Sequence, residues 1–337
     1  MIDLAIIIVN WNVRDLLAAC LRSVQADLAG SDLTVQIWVV DNGSSDGSVE
    51  MLRRDFAGLH LIASDRNLGF AAGNNAALRA IGFADRNRAD TASPATPTLA
   101  RPDTVLLLNP DTEVQPGALQ SLVDFLRRTP QAGIAGAQLL FGDGSFQHSG
   151  FDFPGLGQLA IELLPGPGRL VESRLNGRYP RRLYQRGQPF KVGHPLGAAM
   201  CVRREAIEQV GLLDEQYHMY VEEVDWSKRI RAAGWEAYCV PAAKVIHLGG
   251  QSSTQIQTSS FVNLWTSRRR FYGRHYSPLK VWLARQIVNL GMRRLAGQAV
   301  EAAQRGELDQ ATLAERLRGY SQVRAIWSQP QAQEKYV

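Results

Sequence analysis

The chain has 337 residues, 45% of them hydrophobic and 20% charged, and 37 Lys and Arg against 32 Asp and Glu leave a formal charge of +5. That length suits one large domain or about two ordinary ones with a full core, the composition excludes disorder along the whole chain, and the mild basicity alone does not mean nucleic acid. Cys20, Cys201 and Cys239 are odd in number and show no CxxC pair, which excludes a disulfide framework and a zinc ribbon and fits a reducing compartment.

Residues 4–9 are a continuous, largely β-branched apolar run, as expected of a strand buried on both faces of a parallel sheet. An acid precedes this run, which is too short for a secretory leader. No stretch approaches the about 18 apolar residues of a membrane span. The expectation is a cytoplasmic protein.

Residues 15–25 follow with helical spacing: Leu16, Leu17, Cys20, Leu21 and Val24. A second strand at 35–40 ends in the polar loop 41–47, and a helix at 49–54 follows. A third strand at 59–63 leads through 67–75 into a helix opened by Asn74 and Asn75. Residues 84–103, rich in Ala, Thr and Pro and without periodicity, read as a flexible insertion. A fourth strand at 105–108 ends in Asn109-Pro110-Asp111. Strands alternating with helices predict βαβ units.

Further on, 116–128 reads as a helix with Pro116 in its first turn, and 142–144 as a hairpin turn. A strand at 198–202, a short helix at 205–210 and a helix at 222–233 closed by Gly234 follow. Residues 236–240 and 244–247 are extended. From 263 the chain is basic and helical.

Ligands of an open parallel sheet bind beyond the carboxyl ends of its strands, and three predicted strands here end in polar loops. There is no GxGxxG after the first strand and no P-loop, so a classical dinucleotide or P-loop site is disfavoured. Asp111 stands alone after a buried strand, which suits a hard divalent cation bridging phosphates. Asp41 is placed to accept hydrogen bonds from a nucleobase or ribose, and the helix start near Asn74 suits phosphate.

A second cluster, Glu222-Glu223-Val224-Asp225, packs three carboxylates into four residues. On a helix Glu222 and Asp225 share a face while Glu223 points elsewhere. Acids in a first turn complement the helix dipole, and Asp225 can pair with Arg229. Partial burial would instead tune one of them toward a general base. His247 ends an apolar strand, in a place where a histidine is either structural or a further metal ligand beside Asp111.

Together these stretches resemble a family 2 glycosyltransferase of the GT-A fold, rhamnosyltransferase-like branch. The resemblance rests on IIIVNWN (6–12), VVDNGSSDGS (39–48), NLGFAAGNNAALR (67–79), LLLNPDTEVQPGAL (106–119), GAAMCVRREA (197–206), GLLDEQYHMYVEEVDWSKRIRAAGW (211–235) and VIHLGG (245–250). It implies a mostly parallel nucleotide-binding sheet flanked by helices, with a catalytic domain over 1–255 and a helical basic extension over 256–337. The nucleotide-sugar half would run to about residue 115 and the acceptor half to 255.

The resemblance also implies a nucleotide-sugar donor, dTDP-rhamnose favoured, with Mg²⁺ or Mn²⁺ and inversion at the anomeric carbon. It places Val9, Trp11 and Asp41 at the base, Asn67 and Asn74 near the phosphates, and Asn109-Pro110-Asp111 at the DXD motif, with Asp111 and His247 on the metal. Glu223 is the preferred base, with Asp225 and Glu222 in the same acidic motif. Asn109 replaces the first DXD carboxylate, and Gly193-His194 stands where relatives often carry an Asp. The QxxRW motif of processive relatives is missing, so transfer of single sugars to a glycan or lipid-linked acceptor is expected. A sugar nucleotidyltransferase would need a Gly-rich basic loop that residues 10–14 do not supply. A nucleic-acid-binding protein is the remaining alternative.

Residues 237–300 contain nine Lys or Arg and no Asp or Glu. On a helix from residue 281, Val281, Ala284, Val288, Met292 and Leu295 form one apolar face, with Arg285, Asn289 and Arg293 to one side. That pattern suits either a helix packed on the rest of the protein or one lying on an anionic membrane.

Overall fold

A computed structural model describes residues 2–84, 101–217, 219–249 and 257–329. Its strands are β1 (Ile2–Asn10), β2 (Val35–Asp41), β3 (His60–Ala63), β4 (Pro102–Leu108), β5 (Thr112–Val114), β6 (Ala132–Leu140), β7 (Phe146–Gln147), β8 (Gly150–Phe151), β9 (Phe190–Val192), β10 (His194–Pro195), β11 (Ala199–Arg203) and β12 (Glu236–His247). Its helices are α1 (Arg14–Leu28), α2 (Ser48–Asp55), α3 (Phe70–Ile81), α4 (Ala118–Arg128), α5 (Leu156–Leu163), α6 (Arg181–Gln185), α7 (Arg204–Val210), α8 (Glu222–Ala232), α9 (Gln257–His275), α10 (Pro278–Gln304) and α11 (Gln310–Ser328).

The described residues fall into two compact units. Unit one is drawn from 1–153, 179–218 and 222–252, and unit two from 154–178, 219–221 and 253–337.

Unit one is an α/β layer structure on a sheet of order β3-β2-β1-β4-β11-β6-β12-β5. The first four strands are parallel, as is the long β6–β12 ladder, while β11 runs antiparallel to β4 and β6. Successive side chains of a strand face opposite sides of a sheet, and β1 uses both. Leu4, Ile6 and Ile8 enter a core with α1, α2 and α4, while Ala5, Ile7 and Val9 enter one with α3, α7 and α8. This two-sided burial is why the run carries no polar alternation. The chain winds outward from β1 to β3, then returns to set β4 on the other side of β1. The strand order therefore reverses at β1/β4, where an open α/β sheet leaves a crevice.

Several boundaries differ from expectation, three of them for a clear local reason. β4 starts at Pro102, so the end of the expected insertion is strand: Pro102 and Thr104 lie opposite Ile2 and Leu4, and the Thr104 hydroxyl donates to the Asp3 carbonyl at 2.8 Å. Residues 85–100 of that insertion lie outside the described residues. α4 starts at Ala118 and leaves Pro116 outside, because its first N–H groups are capped from α1. The Asp27 carboxylate accepts from Gly117 N and, at 2.9 Å, from Leu119 N. Residues 236–247 are one strand, not two, with a register break between Val240 and Lys244, where Pro241 has no N–H for the ladder.

Unit two is helical. α10 packs against α5 and α11, so closely that a Cβ on Gly291 would lie 2.6 Å from the Leu163 Cβ. Trp265 of α9 and Trp327 of α11 are buried edge to face, and the Trp327 indole donates to the Trp265 carbonyl at 3.0 Å. Ser277 caps α10 and Asp309 caps α11. The apolar face read either as packed or as lying on a membrane (Val281, Ala284, Val288, Met292, Leu295) is turned inward: Ala284, Val288 and Met292 are buried and the other two half-buried. Among the described residues no helix is long and apolar enough to cross a membrane.

Candidate active site

The C-terminal ends of β1, β2 and β4 form one rim. At its first edge the Asp41 carboxylate, 1% exposed, accepts from the Asn10 amide at 2.9 Å and from Ser44 N at 2.9 Å. Ser44 Oγ in turn accepts from Asn12 N, and Asn12 Oδ1 accepts from Ser45 N at 2.8 Å. Asn12 has φ +53°, a left-handed conformation that asparagine tolerates. The 41–47 loop is therefore held in one shape beside Val9, buried, and Trp11, half-buried.

α3 approaches β1 so closely that a Cβ on Gly73 would stand 2.9 Å from Val9 Cγ1. Asn67 is exposed, and its Oδ1 accepts from Gly69 N at 2.9 Å. Asn74 and Asn75 do not open the helix. α3 starts at Phe70, placing both in its second turn, where Asn74 donates back to the Phe70 carbonyl and both are buried. Asn75 clamps a remote segment: its side chain donates to the Leu213 carbonyl at 2.9 Å and accepts from Leu213 N at 3.1 Å.

After β4, Asn109 is half-buried and Asp111 is 8% exposed. The antiparallel pairing of β5 with the end of β12 sets His247 opposite Thr112. His247 Nε2 then lies 3.6 Å from Asp111 Oδ1, and Leu248 N donates to the Asp111 carbonyl at 3.0 Å. The other ring nitrogen of His247 faces Gln147 Oε1 at 3.3 Å. Burial pushes the His247 imidazole below its ordinary pKa, with Asp111 pulling the other way. Gln147 arrives on a hairpin, and nothing near it in sequence announces that contact.

Two ligands about 2.1 Å from one cation stand about 3.0–3.4 Å apart, so Asp111 and His247 fit a shared metal after a small side-chain rotation. Among the described residues no third His, Cys, Asp or Glu joins them. That sparse set fits Mg²⁺ or Mn²⁺ held by one carboxylate plus substrate phosphates and water.

The acidic cluster separates into different environments. Asp225 is fully buried, accepting from Arg229 Nε at 2.8 Å and from the Tyr217 hydroxyl at 3.4 Å. Arg229 also donates to the Val210 and Leu212 carbonyls, so this pair ties α8 to the segment before it. Glu222 is 3% exposed. Glu223 is half-buried and lies across Gly197, where an added Cβ would sit 3.1 Å from its Cγ. Burial pushes its carboxyl above the usual range. The next residue, Ala198, accepts from Asn109 N at 2.9 Å, so Gly197-Ala198 links Glu223 to the Asn109-Pro110-Asp111 loop.

His194 is buried between Phe151 and Phe153, with centroids 5.9 and 5.8 Å away, and its Nδ1 faces the Pro195 carbonyl. Burial pushes it down to about 4. Unfolded, this imidazole takes a proton near pH 6.5, while the folded form holds it neutral until about pH 4. Stability is therefore expected to fall as pH drops across that window, by up to about 3 kcal/mol at its foot. Urea titrations of His194→Asn should lose that part of the slope.

The family model described as "Glycosyl transferase family 2" matches residues 5–82. An N-acetylglucosaminyl-diphospho-decaprenol L-rhamnosyltransferase of Mycobacterium tuberculosis is 32% identical over 213 residues, 63% of this chain and 66% of that protein. The chain belongs to glycosyl transferase family 2. The matched region spans about two thirds of that relative's length. A low-salt glycan biosynthesis hexosyltransferase, Agl10 of Haloferax volcanii, is 26% identical over 270 residues, 80% of this chain and 74% of that one. Among solved structures, GalNAc-T7 with UDP, GalNAc and Mn²⁺ superposes with a TM-score of 0.54 at 15% identity, covering 95% of this family 2 chain and 54% of that one. The mannosyltransferase PcManGT of Pyrobaculum calidifontis, with GDP-Man and Mn²⁺, gives 0.52 at 13%, covering 96% and 86%. The fold is that of the GT-A glycosyltransferases.

Proposed function

We propose that this chain transfers a single sugar from a nucleotide-diphospho-sugar to an acceptor hydroxyl, with inversion, in the assembly of a cell-surface glycan. The observation that carries the reading is the continuous rim described above: Asp41, then Asp111 with His247, then Glu223 joined to the same loop through Gly197-Ala198. dTDP-rhamnose is the favoured donor and a lipid-linked saccharide the favoured acceptor; the name of the mycobacterial relative supports the rhamnosyl group and the lipid-linked acceptor.

Val9, Trp11 and Asp41 hold the base and ribose side. Asn67 and Asn109 line the diphosphate side, and Asn74, buried and bonded to the Phe70 carbonyl, supports α3 from within. Asp111 and His247 would hold the cation. A divalent cation, when bound, neutralises charge on the leaving diphosphate. Glu223 takes the proton of the acceptor hydroxyl as that oxygen bonds to the anomeric carbon. The bond to the diphosphate oxygen breaks with its electron pair, and configuration inverts. Asp225 and Glu222 position the helix that presents Glu223.

Thermal unfolding across a panel of nucleotide sugars, with and without Mn²⁺, tests the donor. Ligand at about 100 times Kd stabilises the native state by about 2.7 kcal/mol. The largest rise is expected with dTDP-rhamnose plus Mn²⁺. No rise with any nucleotide sugar, together with retention on DNA, would replace this reading with the nucleic-acid one.

A further inference from the structure

α10 carries a second apolar face, opposite the one packed on α5 and α11. Leu279 is 67% exposed, Trp282 54%, Leu283 38% and Leu290 56%. Steps of three and four residues place them on one side of the helix, a stripe about 16 Å long at 1.5 Å per residue. Gln286 falls within the stripe, and Arg293, also exposed, continues it. Exposed leucines grouped around a tryptophan leave apolar area without a partner in a helix that is otherwise well packed.

The charge around the stripe selects the occupant. On α10 itself Lys280, Arg285, Arg293 and Arg294 all precede the first acid, Glu301. A second copy of this helix would bring like charge to like charge. A phosphate-rich anionic surface gains from the same charge, and tryptophan is favoured at the boundary between headgroup and chain. The helix is not apolar enough to cross a bilayer, which leaves the in-plane arrangement.

We propose that the outward face of α10 lies in the interface of an anionic lipid bilayer, with Leu279, Trp282, Leu283 and Leu290 in the acyl boundary and Arg293 at the phosphates. This differs from the face that sequence periodicity selects, and it stands whatever the donor or base.

Flotation of the full chain with neutral phosphatidylcholine vesicles, and with vesicles one quarter phosphatidylglycerol, at low and high salt, tests it. The chain is expected to float with the anionic vesicles at low salt and much less at high salt. Leu279→Ser with Trp282→Ser is expected to lower the partition roughly tenfold per apolar side chain removed. Leu290→Ser, three turns away, is expected to act in the same direction by itself. Since all three are exposed, the thermal midpoint should not move. Flotation that is absent, equal on both vesicle types, or unchanged in both variants overturns the proposal. So does loss of a dimer in place of loss of lipid binding, or full displacement from vesicles by DNA.

Discussion

Glu223→Gln is expected to lower turnover by about 10²–10⁴-fold, the contribution of a positioned general base, while donor binding changes little. The amide keeps the shape of the side chain and its contact over Gly197, so the loss reports basicity and not packing. The pH profile adds a second readout. Burial raises the Glu223 carboxyl, and a base acts only when deprotonated, so the acid limb of kcat should lie above the ordinary glutamate range and disappear in Glu223→Gln. Asp225→Asn is the contrast. It leaves the half-buried Arg229 without the Asp225 charge, so unfolding by urea should show a stability loss at or below the about 3–5 kcal/mol of a broken buried pair, with turnover per folded molecule largely kept. The reverse pattern would falsify the choice of base and move the role to Asp225.

What was legible in the sequence follows the range of each interaction. The parallel strands announced themselves because burial on both faces demands unbroken apolar runs, and their polar ends marked the rim because a crevice there needs polar groups. The i,i+4 pair Asp225–Arg229 was readable for the same reason: both partners lie on one helix face. Contacts closed by the tertiary fold were not readable. Gln147 beside His247, and Asn75 on Leu213, join segments far apart in the chain through side chains that have many alternative uses.

α10 shows the limit in another form. Its sequence has two apolar faces, and period alone cannot say which is packed, since the choice is made by Leu163 of α5 and by α11. Tyr220 and Val221, with φ +71° and +72°, stand directly before Glu222. A β-branched residue in that region is a true outlier, costing of order 1–3 kcal/mol. Neither residue is glycine, so no sequence signal marks the strain. Ser267, itself buried, donates to the Met219 carbonyl at 2.9 Å and holds the start of that strained segment.

Asp111→Asn is the second large effect expected. The substitution removes the one carboxylate of the proposed metal pair and keeps its volume. The backbone bond from Leu248 N to the residue 111 carbonyl is untouched, so the 109–111 loop and the β5–β12 pairing should survive and the thermal midpoint should stay close to that of the parent chain. On the proposed reading, what is lost is charge at the place where the diphosphate departs. Partners one shell out from a metal commonly cost about 10–100-fold in affinity or activity when changed, so loss of a direct carboxylate ligand should cost at least about 100-fold in turnover. Calorimetric titration of Mn²⁺ with a nucleotide sugar should show the same loss in binding, and excess chelator should reproduce the defect in the parent chain. His247→Gln tests the pair from the other side: an amide oxygen in place of the imidazole should weaken Mn²⁺ binding less than Asp111→Asn, because the charge remains. Full turnover in Asp111→Asn, or in the parent chain under chelator, would take the metal out of the reaction and leave Asp111 as a structural residue of the rim.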